Sequence, residues 1–198
     1  MGFAVSGPAL TLRYPEPSDA PALFALGSNA EVTQYFSWGP YTEQRQAEAF
    51  LAGLPAKRER GEVLELAVVH RERGFAGIIL LTEPSPRDRR IIVGTWLGRE
   101  FWRTGVNEEA KALVARLAFD HLGIERLGSY ADVRNERSQR ALERIGFVRE
   151  GVLRAFHRHG DSPRDVVSYS MLRKDWEASP LFGVPVAVTG EVPRAFVA

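Results

Sequence analysis

The chain has 198 residues, 44% apolar and 26% charged, and its 26 basic residues are set against 25 acidic ones for a formal net charge of +1. That is the composition of one globular domain with its own core, and it carries no bulk charge with which to hold nucleic acid or an anionic membrane, so any anion site has to be local. With no cysteine in the sequence, disulfide scaffolding, thiolate metal sites and a cysteine nucleophile are excluded. No apolar run reaches membrane-spanning length, and the start MGFAVSGPAL has neither a basic n-region nor a sustained apolar one, so a cytoplasmic protein without a membrane partner is expected.

In chain order, LTLRY at 10–14 alternates apolar and polar residues before Pro15, which predicts a short strand ended by a turn. Ser18 or Asp19 can cap a following helix whose apolar face is Leu23, Phe24 and Leu26, ending at Gly27. A second helix is predicted over 42–60, with Thr42 as cap and Phe50, Leu51 and Leu54 on one side; Pro55 predicts a break or a late kink. Three strands follow at 65–70, 75–81 and 90–97, joined by turns rich in Gly, Pro, Asp and Arg, with PSPRDRR as a hairpin tip. From Asn107 the period becomes helical. Ala110, Leu113, Val114, Leu117 and Ala118 form the buried stripe, and Glu108, Lys111, Arg116 and Asp120 are expected mainly on the opposite side. A strand at 126–133 leads to a short helix at 135–147, with Asn135 as N-cap and Gly146 in the left-handed position after the C-cap. Strands at 151–159 and 165–172 around the turn GDSPR complete the order βα(α)βββαβαββ. Their periods aim Ile79, Val93, Leu113, Val114, Leu117, Leu142, Ile145 and Phe147 at one shared core. Residues 1–176 form the expected domain. Residues 177–198 are an extension with prolines at 180, 185 and 193, in which VPVAV suits a sheet edge or a partner subunit, so a homodimer is conceivable.

Two local features concern chemistry. Residues 103–107, Arg-Thr-Gly-Val-Asn, turn into the N-terminus of the helix that starts at Asn107. Unpaired backbone N–H groups and the positive end of the helix dipole make such a turn a cradle for phosphate, with Arg103 able to pair with the same anion. His157 and His159 fall on one face of a strand and admit either a metal pair or a solvent-facing pair. With four histidines and no cysteine in the chain, no metal is expected. Residues 126–174 hold ten arginines and Lys174 against six acids, a potential basic face, but no recognisable RNA-binding motif interleaves aromatics with them.

The order of elements, the turn at 103–107 and above all ADVRNERSQRALERIGFVREGVLR at 131–154 resemble the GNAT acyltransferases, in the branch similar to the RimJ and RimL N-terminal acetyltransferases of ribosomal proteins. The resemblance covers roughly residues 10–176. Its most specific part is N-x-x-S-x-x-A-x-x-x-x-G-F followed by E-G, carried here by Asn135, Ser138, Ala141, Gly146, Phe147, Glu150 and Gly151. It implies a mixed α/β fold with a splayed, mostly antiparallel sheet, helices on both faces and acetyl-CoA as co-substrate in the splay. The implied cofactor contacts are Trp96, Leu97, Arg103, Thr104, Gly105, Val106, Asn107, Asn135 and Ser138. Ser138 would protonate the departing thiolate, and His157 or Glu150 would handle the acceptor's proton. The turn departs from the family's usual pattern, because Arg103 stands where a glycine is common; if that position needs a positive φ, Arg103 is strained. Gly94 suits a bulge that frees a backbone N–H for an oxyanion. The acceptor is an amine, either a protein N-terminus or a small molecule, facing Trp38 and Tyr41; a non-catalytic acyl-CoA binder is the rival reading.

Overall fold

The computed structural model describes residues 2–198. One sheet of nine strands organises the fold, in the order β7-β8-β6-β5-β4-β3-β2-β1-β9. These are β1 (Ala4–Ser6), β2 (Leu10–Arg13), β3 (Val63–His70), β4 (Gly74–Ser85), β5 (Arg90–Leu97), β6 (Arg126–Asp132), β7 (Val148–His159), β8 (Ser162–Leu172) and β9 (Ala187–Thr189). Every pairing is antiparallel except β5 with β6.

Helices cover both faces. On one side lie α1 (Ala20–Gly27), the single turn α2 (Ala30–Thr33) and α3 (Gln44–Glu59), whose Leu23, Leu51 and Leu54 pack against Ile78 and Trp96 of the sheet. On the other lie α4 (Val106–Arg116), α5 (Glu136–Arg144) and α6 (Arg173–Glu177). There Leu113, Val114, Leu117, Leu142, Ile145 and Phe147 pack with Ile79 and Val93, every one of them buried. At roughly 1.5–3 kcal/mol for each fully buried large aliphatic, this two-sided burial is the main stabilising contribution. The chain past Arg116 continues as a wider π turn, Leu117–His121, in which Leu122 N–H reaches back to Leu117 O over 3.0 Å.

Several expectations are corrected. Pro55 does not break α3, because Leu51 and Leu54 on either side of that turn are buried and hold the helix against the sheet while Pro55 faces solvent. The cap of α3 is Glu43 rather than Thr42; the Gln46 side chain accepts from both of their N–H groups, at 2.7 and 3.0 Å. Asp19 does not cap with its carboxylate, which instead grips Arg13 at 2.7 and 2.8 Å. No bulge occurs at Gly94. The β4–β5 register runs unbroken from Gly77↔Leu97 to Thr82↔Ile92, and its irregularity falls between Thr82 and Ser85. Residues 177–198 pack on the same core: Leu181 and Phe196 are buried, and β9 pairs with β1, a strand that too few residues encode to be read from sequence.

Candidate active site

The site begins where the parallel strands part. β5 and β6 stay in register for three pairs, Arg90↔Arg126 to Ile92↔Gly128. One residue further on, a side chain takes over from the ladder: Ser129 Oγ donates to Val93 O at 2.9 Å, a buried contact. That contact fixes which way the backbone faces, since N–H and C=O alternate sides along a strand. Val93 faces β6, so Thr95 does too, with no strand in register opposite it. Leu97 O, the next in the series, accepts from Trp102 Nε1 at 3.0 Å.

A cavity of about 650 Å³ opens in this gap. Of the residues singled out from sequence, Trp38, Trp96, Leu97, Arg103, Gly105, Asn107, Asn135, Ser138 and His157 line it. Thr104 and Val106 support the turn without lining the cavity: Thr104 Oγ1 donates to Phe101 O at 2.8 Å, and Val106 is buried beneath the first turn of α4.

The turn itself is held in unusual backbone geometry. Arg103 has φ of +62° and Gly105 φ of +87°, so Arg103 occupies the left-handed region that glycine enters without steric cost. A Cβ on Gly105 would meet no protein atom within 4 Å, which leaves open space above the turn for a ligand's closest approach. Arg137, which no sequence pattern singles out, also lines the cavity and lies over the Trp102 ring at 3.3 Å from its centroid. Burial holds the Arg137 guanidinium below its ordinary value, and the neighbouring Arg103 pushes it the same way. Two guanidiniums that disfavour each other beside a helix N-terminus suit an anion between them.

On the opposite wall, Asn135 caps α5, its Oδ1 accepting from Ser138 N at 3.1 Å. Asp132 anchors the preceding turn, bonded to Arg134 at 2.6 and 2.8 Å. His157 sits on β7 with its ring edge-on to Tyr130, centroids 5.9 Å apart. An aromatic wall closes the far end, where Trp38 stacks on Phe36 at 5.4 Å and meets Trp96 edge-on at 5.3 Å. Tyr41 touches Trp38 from behind, at 5.0 Å, and packs over Gly27 rather than facing the cavity.

Glu150 lies outside the cavity. Arg126 Nη1 donates to it at 2.7 Å and Ser170 Oγ at 3.0 Å, an arrangement that holds the carboxyl below its usual range. Its placement corrects the acid–base role expected for it, because the motif E-G here anchors β7 to β6 and β8. Lys111 is a second correction. It faces inward, 3% exposed, and donates to Thr95 Oγ1, and both residues line the cavity. The anticipated basic face is largely neutralised, with Arg126, Arg134, Arg140, Arg144 and Arg173 each in an ion pair. Among the described residues no three of His, Cys, Asp and Glu gather as a metal site, and no helix is long and apolar enough to cross a membrane.

Comparison with known proteins gives this geometry relatives. Residues 9–148 match the family described as "Acetyltransferase (GNAT) domain". The "Uncharacterized N-acetyltransferase YoaA" of Bacillus subtilis is 30% identical over 165 residues, 83% of this chain and 93% of that protein. The "Putative ribosomal N-acetyltransferase YdaF" of the same organism is 27% identical over 172 residues, 85% and 93% of the respective chains. Among solved structures, an acetyltransferase from T. thermophilus superposes with a TM-score of 0.79 at 34% identity, covering 90% of this chain and 93% of its own. The fold is also that of the microcin C7 self-immunity acetyltransferase MccE, solved with acetyl-CoA and AMP, at a TM-score of 0.75, 22% identity and coverage of 83% and 92%.

Proposed function

The chain belongs to the GNAT N-acetyltransferases, and from that premise we propose that it transfers the acetyl group of acetyl-CoA to a protein N-terminal α-amino group by direct attack, with no covalent enzyme intermediate. The observation that carries this reading is the gap between β5 and β6, with the Thr95 backbone open on one wall and Ser138 on the other.

The residues present fit acetyl-CoA. The turn 103–107 offers backbone N–H groups at the start of α4, and Arg103 and Arg137 add positive charge for its pyrophosphate. Thr95 N–H and C=O, together with the Asn135 side-chain amide, can take the amides of its arm. When bound, acetyl-CoA supplies an activated acetyl group as a thioester. Ser138 holds a proton at Oγ that it can give to the thiolate, while Thr95 N–H donates to the oxygen where negative charge develops.

The acceptor assignment rests on chemistry and on kinship. An α-amino group has an ordinary pKa of roughly 7.7–8.0 against about 10.4 for lysine, so near neutral pH it is already partly the free nucleophile. A strong base is then unnecessary, and His157 at the cavity rim suffices to take up the proton. The kinship with YdaF, whose name assigns it to ribosomal substrates, supports a protein acceptor.

The test is thiol release from acetyl-CoA with three sets of acceptors: peptides with free N-termini, the same peptides N-blocked but carrying lysine, and small amines such as polyamines and aminoglycosides. Release with the first set alone is the expected result. Turnover of small amines only would replace the acceptor, and acetyl-CoA binding without release with any amine would make the protein a non-catalytic binder.

A further inference from the structure

Lys111 is the one described lysine that is fully withdrawn from solvent, and it lies beneath the gap between the parting strands. Its Nζ donates to Thr95 Oγ1, on the same residue whose backbone faces the open side of β5. An ammonium has three protons to donate, and a hydroxyl takes one. A buried cation with a single neutral partner is costly unless another acceptor completes its shell.

We propose that Lys111, oriented by Thr95, is a donor-binding residue that gives a hydrogen bond to a carbonyl oxygen of the acyl donor's arm. The inference rests on the acetyl-CoA reading of the cavity and adds a side-chain contact to it.

The surroundings leave Lys111 free for this task. On its own helix, Glu108 is paired with Arg144, and Glu109 Oε1 accepts from the backbone N–H groups of Ala9 and Leu10, each at 2.8 Å. On the strands against which α4 packs or across the gap, Arg13 is held by Asp19, Asp132 is held by Arg134, and Tyr130 has its phenol pushed up by burial, so it is neutral. Desolvation alone acts on Lys111, lowering its ammonium to about 7. The site therefore switches easily between amine and ammonium near neutral pH, and a carbonyl acceptor would draw it to the charged form. Binding of the donor should then be coupled to uptake of a proton.

Titration calorimetry with acetyl-CoA at pH 8, in buffers of different ionisation enthalpy, reads both affinity and proton uptake. The wild-type protein is expected to bind with net proton uptake. Lys111→Met is expected to bind about tenfold more weakly, the loss of roughly one hydrogen bond to a charged donor, and without uptake. Thr95→Val, which removes only the hydroxyl, should lower affinity less and alter the uptake, and it keeps the question open to refutation if the Lys111 variant does not fold. Coenzyme A, which lacks the acetyl carbonyl, separates the two kinds of carbonyl: equal uptake with both ligands assigns the contact to an arm amide, and uptake with acetyl-CoA alone assigns it to the acetyl group. Unchanged affinity and unchanged uptake in the variants, with the wild type binding normally, would overturn the role of Lys111 while leaving the function intact. A wild type that does not bind acetyl-CoA would remove the function and this inference together.

Discussion

Ser129 donates its hydroxyl to the carbonyl of Val93 at 2.9 Å, and the two residues follow directly on the last registered pair of the parallel strands. A backbone carbonyl that loses its ladder partner where strands diverge would otherwise be buried and unpaired. The serine satisfies it with a side chain, which lets the strands separate without an orphaned acceptor. Ser129→Ala should therefore destabilise the protein by about 1–2 kcal/mol, read as a lower urea midpoint with an unchanged slope. An unaltered midpoint would show that water replaces the hydroxyl at no cost.

Arg103→Gly separates strain from charge. At φ of +62° the arginine costs roughly 1 kcal/mol that glycine would not, so the variant should be more stable by that amount. Its acetyl-CoA affinity should nevertheless fall, with a shallower salt dependence, because one of the two guanidiniums at the turn is gone. Tighter binding would mean that the arginine is a strained departure with no phosphate role.

Ser138→Ala should leave acetyl-CoA affinity within about threefold while lowering the turnover rate by about 10²-fold, since the hydroxyl matters chiefly as the sulfur leaves. Single-turnover kinetics beside calorimetry makes the comparison. Equal losses in both quantities would reduce Ser138 to a binding residue.

Glu65 on β3 supplies a pH signature unconnected with catalysis. It is 3% exposed, one carboxylate oxygen has no partner among the described residues, and desolvation raises it to about 7 from 4.5. The folded protein holds this proton more tightly than the unfolded chain does, so stability falls as pH rises from about 4.5 to 7 and is level beyond. Glu65→Gln should abolish that slope and be more stable than wild type by about 1–3 kcal/mol at pH 8, with little difference near pH 4. Parallel pH profiles of urea stability would refute the assignment.

What can be read from sequence tracks how local each determinant is. The helical stripe from Ala110 to Ala118, the Asn135 cap and the positive φ at position 103 are short-range matters of period and backbone sterics, and they were legible. Lys111 was misplaced because a charged residue beside an apolar stripe is ordinarily solvated; only the divergence of β5 from β6 makes an internal polar space for it. Arg137 looks like any surface arginine until α5 brings it over Trp102. Glu150 matched a motif, yet its work is done by Arg126, a partner 24 positions away that no spacing rule connects to it.

The pairing of β1 with β9 joins Ala4 to Thr189, whose hydroxyl donates to the Ala4 carbonyl across 185 positions of sequence. A growing chain emerges N-terminus first, so the β1 edge of the sheet stays uncovered until residue 189 has been synthesised. For that interval β1 presents unsatisfied backbone groups that any other extended segment could occupy. Closing so long a loop is slow compared with forming the hairpins of β3 to β5, which places the completion of this edge last in assembly and makes it the point most exposed to mispairing.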